Sequence, residues 1–132
     1  MFELALWYDQ KLVQIKDIAK NQNLPEKYLE QIMILLKNAG LVKSVRGAQG
    51  GYYLSKSPGE TTVKEIIEAL EGSLYPVECA EHPETCPNAP TCPTVGVWGK
   101  VGEQIRSLLG GMTLEQLVED YKKHKQDNMF YI

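Results

Sequence analysis

A mainly α-helical fold with one small β-hairpin is predicted by three observations. Apolar residues recur at helical spacing, first as Leu29, Ile32, Met33 and Leu36, then as Val63, Ile66, Ile67 and Leu70. Only residues 41–45 and 51–55 alternate as strands do, and Arg46-Gly-Ala-Gln-Gly50 joins them with the glycines a tight turn needs. Ahead of the hairpin stand two short helical segments separated by Asn23-Leu24-Pro25. Two helices meeting at a tight turn, followed at once by a hairpin, make a winged helix-turn-helix.

The elements follow in chain order. Residues 14–22 read as a short helix with Ile15, Ile18 and Ala19 on one face. Pro25 suits the first position of the next helix, where its missing N–H costs nothing. That helix buries Leu29, Ile32, Met33 and Leu36 and stops at Gly40. It turns Glu26, Lys27, Glu30, Gln31, Ile34 and Lys37 outward, and its N-terminal polar residues are those such a helix offers to a DNA major groove. The hairpin is then a wing. Arg46 at its tip, flanked by Lys43 and by Gln49, suits a narrow, negative minor groove or a phosphate.

Thr62-Val-Lys-Glu65 is a capping box that starts a further helix, ended by Gly72. Residues 73–94 contain Pro76, Pro83, Pro87, Pro90 and Pro93, so no regular element is expected there. Helix resumes through about residue 109. Trp98, Val101, Ile105, Leu108 and Met112 form the seam of a helix that packs along another, so this is the candidate dimerisation helix. Thr113-Leu-Glu-Gln116 caps a short last helix carrying Leu114, Leu117, Val118 and Tyr121, and the tail from Lys122 gives no clear signal. The organisation read from this is a DNA-binding unit at 1–72, a cysteine loop at 73–94, and a dimerisation and C-terminal helix at 95–132.

A chain of 132 residues holds one modest core. No apolar run approaches the ~18 residues of a membrane span, and no secretory pattern opens the chain. The odd count of three cysteines argues against a disulfide framework and for a reducing, cytoplasmic setting. A formal net charge of −3 looks wrong for a nucleic-acid binder, but its distribution does not. Residues 10–57 carry seven lysines and Arg46 against Asp17, Glu26 and Glu30, a balance of +5; residues 58–132 carry twelve acidic and six basic residues, a balance of −6. A basic module on an acidic body suits a polyanion on one face. There is no P-loop and no H-E-x-x-H, and His82 and His124 are the sole histidines, which argues against an enzyme.

Cys79, Cys86 and Cys92 are spaced C-x6-C-x5-C on the Pro-rich loop. Structural zinc sites use at least one closer pair, so this spacing fits zinc poorly. A loose loop around an iron–sulfur core fits better, since thiolates are its usual ligands. Reversible thiol oxidation, or no function at all, is the other reading.

Leu24-Pro-Glu-Lys-Tyr-Leu-Glu-Gln31, Ala39-Gly-Leu-Val-Lys-Ser-Val-Arg-Gly47, Gly50-Gly-Tyr52 and the three spaced cysteines together resemble the Rrf2 family of bacterial transcription regulators. The resemblance runs over nearly the whole chain. It implies a winged-helix homodimer on a palindromic operator in double-stranded DNA, with Tyr28, Glu30 and Gln31 on the recognition helix and Arg46 on the wing at the contacting positions. It also implies, for many members, an iron–sulfur cluster (2Fe-2S or 4Fe-4S) that senses cluster supply, nitric oxide or redox state. Other members respond through a partner protein of cysteine metabolism or by thiol oxidation. Two departures stand out. Residues 1–7 resemble the middle of the family's first helix, so its usual opening segment lies upstream or is missing. The cluster's fourth ligand has no counterpart: the position three past the last cysteine is Val95, and His82, Glu81, Glu84 and Asp9 are substitutes by chemistry alone. A cluster carrier or electron-transfer protein, without DNA affinity, is the competing class.

Overall fold

The computed structural model describes residues 1–130. Helix α1 (Phe2–Leu6) is followed by α2 (Ile15–Gln22) and α3 (Glu26–Asn38), then strands β1 (Val42–Val45) and β2 (Gly51–Leu54). Helices α4 (Val63–Glu71), α5 (Glu78–Glu81), α6 (Val95–Gly110) and α7 (Leu114–Phe130) complete the order. The strands pair antiparallel with Val42 opposite Leu54 and Val45 opposite Gly51, which leaves residues 46–50 as the connecting loop.

The core forms where the apolar stripes meet. Leu29, Met33 and Leu36 of α3 pack with Ile18 of α2, Leu4 of α1, Val42 and Leu54 of the hairpin, and Ile66 of α4. Leu36 is 1% exposed, and burying such a side chain contributes about 1.5–3 kcal/mol. Leu114 and Val118 of α7 belong to the same cluster, so the C-terminal segment returns to close the core.

Helix ends are specified locally. Helix α3 ends as sequence predicts: Gly40 takes φ 78°, its N–H bonds to Lys37 O, and the Leu41 N–H bonds to Leu36 O. Pro25 departs from expectation by one position. It caps α3 in an extended conformation instead of starting it, since Pro also fits where no N–H is needed ahead of the first turn. Both capping boxes are present, Thr62 with Glu65 and Thr113 with Gln116. They also pair with each other: Val63 N–H bonds to Met112 O at 2.9 Å, and Leu114 N–H to Thr61 O at 3.0 Å.

Two expectations are corrected. Residues 73–94 are not irregular throughout, for they hold α5 and two single 3-10 turns, Pro83–Thr85 and Ala89–Thr91. Proline in the first turn of a helix sacrifices no bond, so Pro83 and Pro90 permit these turns. The last helix is long, not short: α7 spans 17 residues and absorbs the polar tail. Lys122, Lys123, Lys125 and Gln126 carry no apolar stripe yet are good helix formers. The closing Tyr131 and Ile132 lie outside the described residues.

Candidate nucleic-acid interface and cysteine loop

The buried stripe of α3 leaves its other face outward. Lys27, Tyr28, Glu30 and Gln31 are all exposed, Tyr28 at 55%. Ile34, 58% exposed, continues that face. The hairpin presents Arg46, Ala48 and Gln49 to solvent at its tip and Lys43 along its outer side, paired across the strands with Tyr53. Gly47 takes φ 110°, a conformation that closes the turn through the bond from Gly50 N–H to Gly47 O. Helix and wing are tied directly, since Lys37 Nζ donates to Ser44 Oγ at 2.9 Å. Each DNA-contacting residue predicted from sequence is therefore solvent-facing on adjoining elements of one head.

Sequence reasoning missed what braces the wing. Val13 forms an isolated bridge with Tyr52, through bonds of 3.0 and 2.8 Å, so the chain before α2 is tied to β2. A side chain at Gly51 would bring its Cβ within 2.8 Å of Val13 O, so this close approach requires glycine. The doubled Gly50-Gly51 was the available signal: a hairpin turn needs only the first. Gln14, beside Val13, reaches the wing loop through its side chain, and nothing in the sequence marks it.

The three cysteines are half-buried and free. Cys79 lies on α5, while Cys86 and Cys92 each follow a single 3-10 turn. Among the described residues, no group of three or more His, Cys, Asp and Glu side chains is gathered to hold a metal ion. The donors suit an iron–sulfur cluster in kind but not in placement. His82 is the candidate for a fourth ligand. Its ring nitrogens face its acidic neighbours, Nδ1 at 3.3 Å from Glu84 and Nε2 at 3.9 Å from Glu81. Asp9 stands far back in the chain, in the turn after α1, with φ 60°.

Cys92 differs from a plain thiol. Its Sγ lies 3.1 Å from Thr94 Oγ1 at the start of α6, and this bond, with backbone N–H groups of Thr94 and Val95, lowers its pKa. The loop is fastened to α6 at its other end. The Tyr75 ring lies against Gly102, where a Cβ would overlap it, and the Arg106 guanidinium stands 5.8 Å from that ring and 3.8 Å from Glu68 of α4. Glu68, Tyr75 and Arg106 line a cleft of about 390 Å³ between α4, the loop and α6. Along the predicted seam of α6, Val101 and Ile105 are half-buried, whereas Trp98 (40%) and Leu108 (62%) are exposed. Among the described residues, no helix is long and apolar enough to cross a membrane.

The chain matches, over residues 1–120, the family model Rrf2, described as an iron-dependent transcriptional regulator. The HTH-type transcriptional regulator CymR of Bacillus subtilis (strain 168) is 39% identical over all of this chain and 91% of its own length. Its solved structure, described as that of the global cysteine regulator, has a TM-score of 0.72 over 89% of this chain and 86% of that one. The regulator IscR of Xenorhabdus nematophila is 37% identical over 91% of this chain and 73% of its own length. The solved T. potens IscR is 40% identical with a TM-score of 0.75, over 93% of this chain and 80% of that one. On its winged head, its three-cysteine loop and these likenesses, the chain belongs to the Rrf2 family of transcriptional regulators.

Proposed function

We propose that this protein is a cytoplasmic homodimeric regulator that binds a palindromic DNA operator, with an affinity set by the chemical state of Cys79, Cys86 and Cys92. The single observation that carries this is the adjoining exposure of the α3 polar face and the Arg46 wing on the one basic module of an otherwise acidic chain. Lys27, Tyr28, Glu30 and Gln31 read base edges and phosphates in the major groove, while Arg46, Lys43 and Gln49 hold the flanking backbone and minor groove. Residues 1–72 form the reading head, 73–94 the sensing loop, and 95–132 carry the dimer contact through Trp98 and Leu108.

The loop spans the space between head and dimer helix, so its state bears on the separation of two recognition helices. That separation must match the helical repeat of DNA, which makes it a lever on affinity. The likeness to IscR and the family's description support an iron–sulfur cluster as the signal. The scattered sulfurs favour the second reading, in which thiol oxidation or a protein partner from cysteine metabolism acts on a loop without a cluster. Anaerobic purification followed by an absorption spectrum with iron and sulfide assays separates them. Visible colour with stoichiometric iron and sulfide supports the cluster; a colourless, iron-free protein that still binds DNA supports the second reading.

A further inference from the structure

We infer that Gln14 is a positioning residue of the DNA interface: its side-chain amide holds the wing loop and thereby aims Arg46. The inference rests on the reading of the wing as a DNA contact. Gln14 occupies the N-cap of α2, with φ −91° and ψ 148°, yet its side chain makes no capping bond. Its Nε2 lies instead 3.4 Å from Ala48 O and 3.4 Å from Gly50 O. Both partners are carbonyl acceptors, so the amide nitrogen, with its two donors, must face the wing. These bonds reach across 34 and 36 residues of chain.

The wing loop has little else to hold it. Arg46, Gly47, Ala48 and Gln49 are all exposed, and within the loop the bond from Gly50 N–H to Gly47 O closes the turn. The neighbouring Val13–Tyr52 bridge fixes the start of β2, and Gln14 carries that brace two residues back to Gly50 and four to Ala48 at the tip. A Ser or Asp at this position would cap α2 better, because a short side-chain oxygen reaches the first-turn N–H groups. Gln14 thus serves the wing at the expense of its own helix.

The two roles move in opposite directions, which makes the inference testable. DNA duplexes selected by the wild-type protein from a random-sequence pool serve as probe. Gln14→Ala is expected to weaken binding about three- to tenfold. In an Arg46→Ala background the same change is expected to cost less than about twofold, because the aimed group is gone. Gln14→Ser is expected to raise Tm by about 3 °C through a better cap while still weakening DNA binding. Unchanged binding by Gln14→Ala, where Arg46→Ala does weaken it, overturns the inference and leaves the proposed function standing. An equal loss in both backgrounds, or a fall in Tm with Gln14→Ser, shows a general folding role and also overturns it. If Arg46→Ala has no effect, or wild-type protein selects no duplex, the DNA reading falls and the inference with it.

Discussion

The reading head and the cysteine loop are built on opposite terms. The head places Leu4, Met33, Leu36, Val42 and Leu54 at 2% exposure or less, and bonds such as Val13 to Tyr52 join segments far apart in sequence. In the loop, Ala89 is buried but outside that core cluster. Its backbone bonds are local: His82 to Glu78, Cys86 to Pro83, Cys92 to Ala89. A region with few buried apolar contacts opens at lower free energy than a core, so the loop is the part of the molecule whose shape a chemical event can change. The head must keep its geometry to read DNA; the loop need only hold the thiols near α6.

The largest expected effect lies in the head. Leu36→Ala removes a fully buried side chain in the last turn of α3 and is expected to cost about 2–5 kcal/mol in urea unfolding. A smaller value would mean that the head is as soft as the loop. Gly102→Ala probes the junction between them. The added methyl must displace the Tyr75 ring, so a loss of about 1–3 kcal/mol is expected although alanine favours helix. Faster hydrogen exchange in residues 75–92 should accompany it. Within the loop, Thr94→Val should leave stability almost unchanged. By removing the hydroxyl that lowers the Cys92 pKa, it should reduce the thiolate fraction and slow alkylation of Cys92 at neutral pH, as read by peptide mass mapping.

The same contrast governs what the sequence could disclose. Periodicity located α2, α3 and α4 because each buries one stripe against a shared core. Paired capping residues at Thr62 and Glu65, and at Thr113 and Gln116, marked helix starts because both partners sit within one turn. The Val13–Tyr52 bridge has no period, being one residue pair, and its sole trace in the sequence is the doubled Gly50-Gly51, while Gln14 is hidden because its partners are backbone carbonyls. In the loop, proline in the sequence signals a break, whereas at the start of a single turn it is compatible with helix. The cysteine spacing shows closeness along the chain. Convergence in space is a separate property, and the fold places Cys79 on α5 and Cys86 and Cys92 each after its own 3-10 turn.

The central claim is that the head binds DNA with an affinity the loop controls. Its most direct test compares wild-type protein with the Cys79→Ser, Cys86→Ser, Cys92→Ser triple variant on duplexes selected by the wild type. Both are measured reduced and anaerobic, then after iron and sulfide loading, and separately after hydrogen peroxide. Equal affinities in the reduced state are expected, with a change of affinity on treatment confined to the wild type. A wild type that ignores both treatments, or a triple variant that responds as the wild type does, would contradict the account.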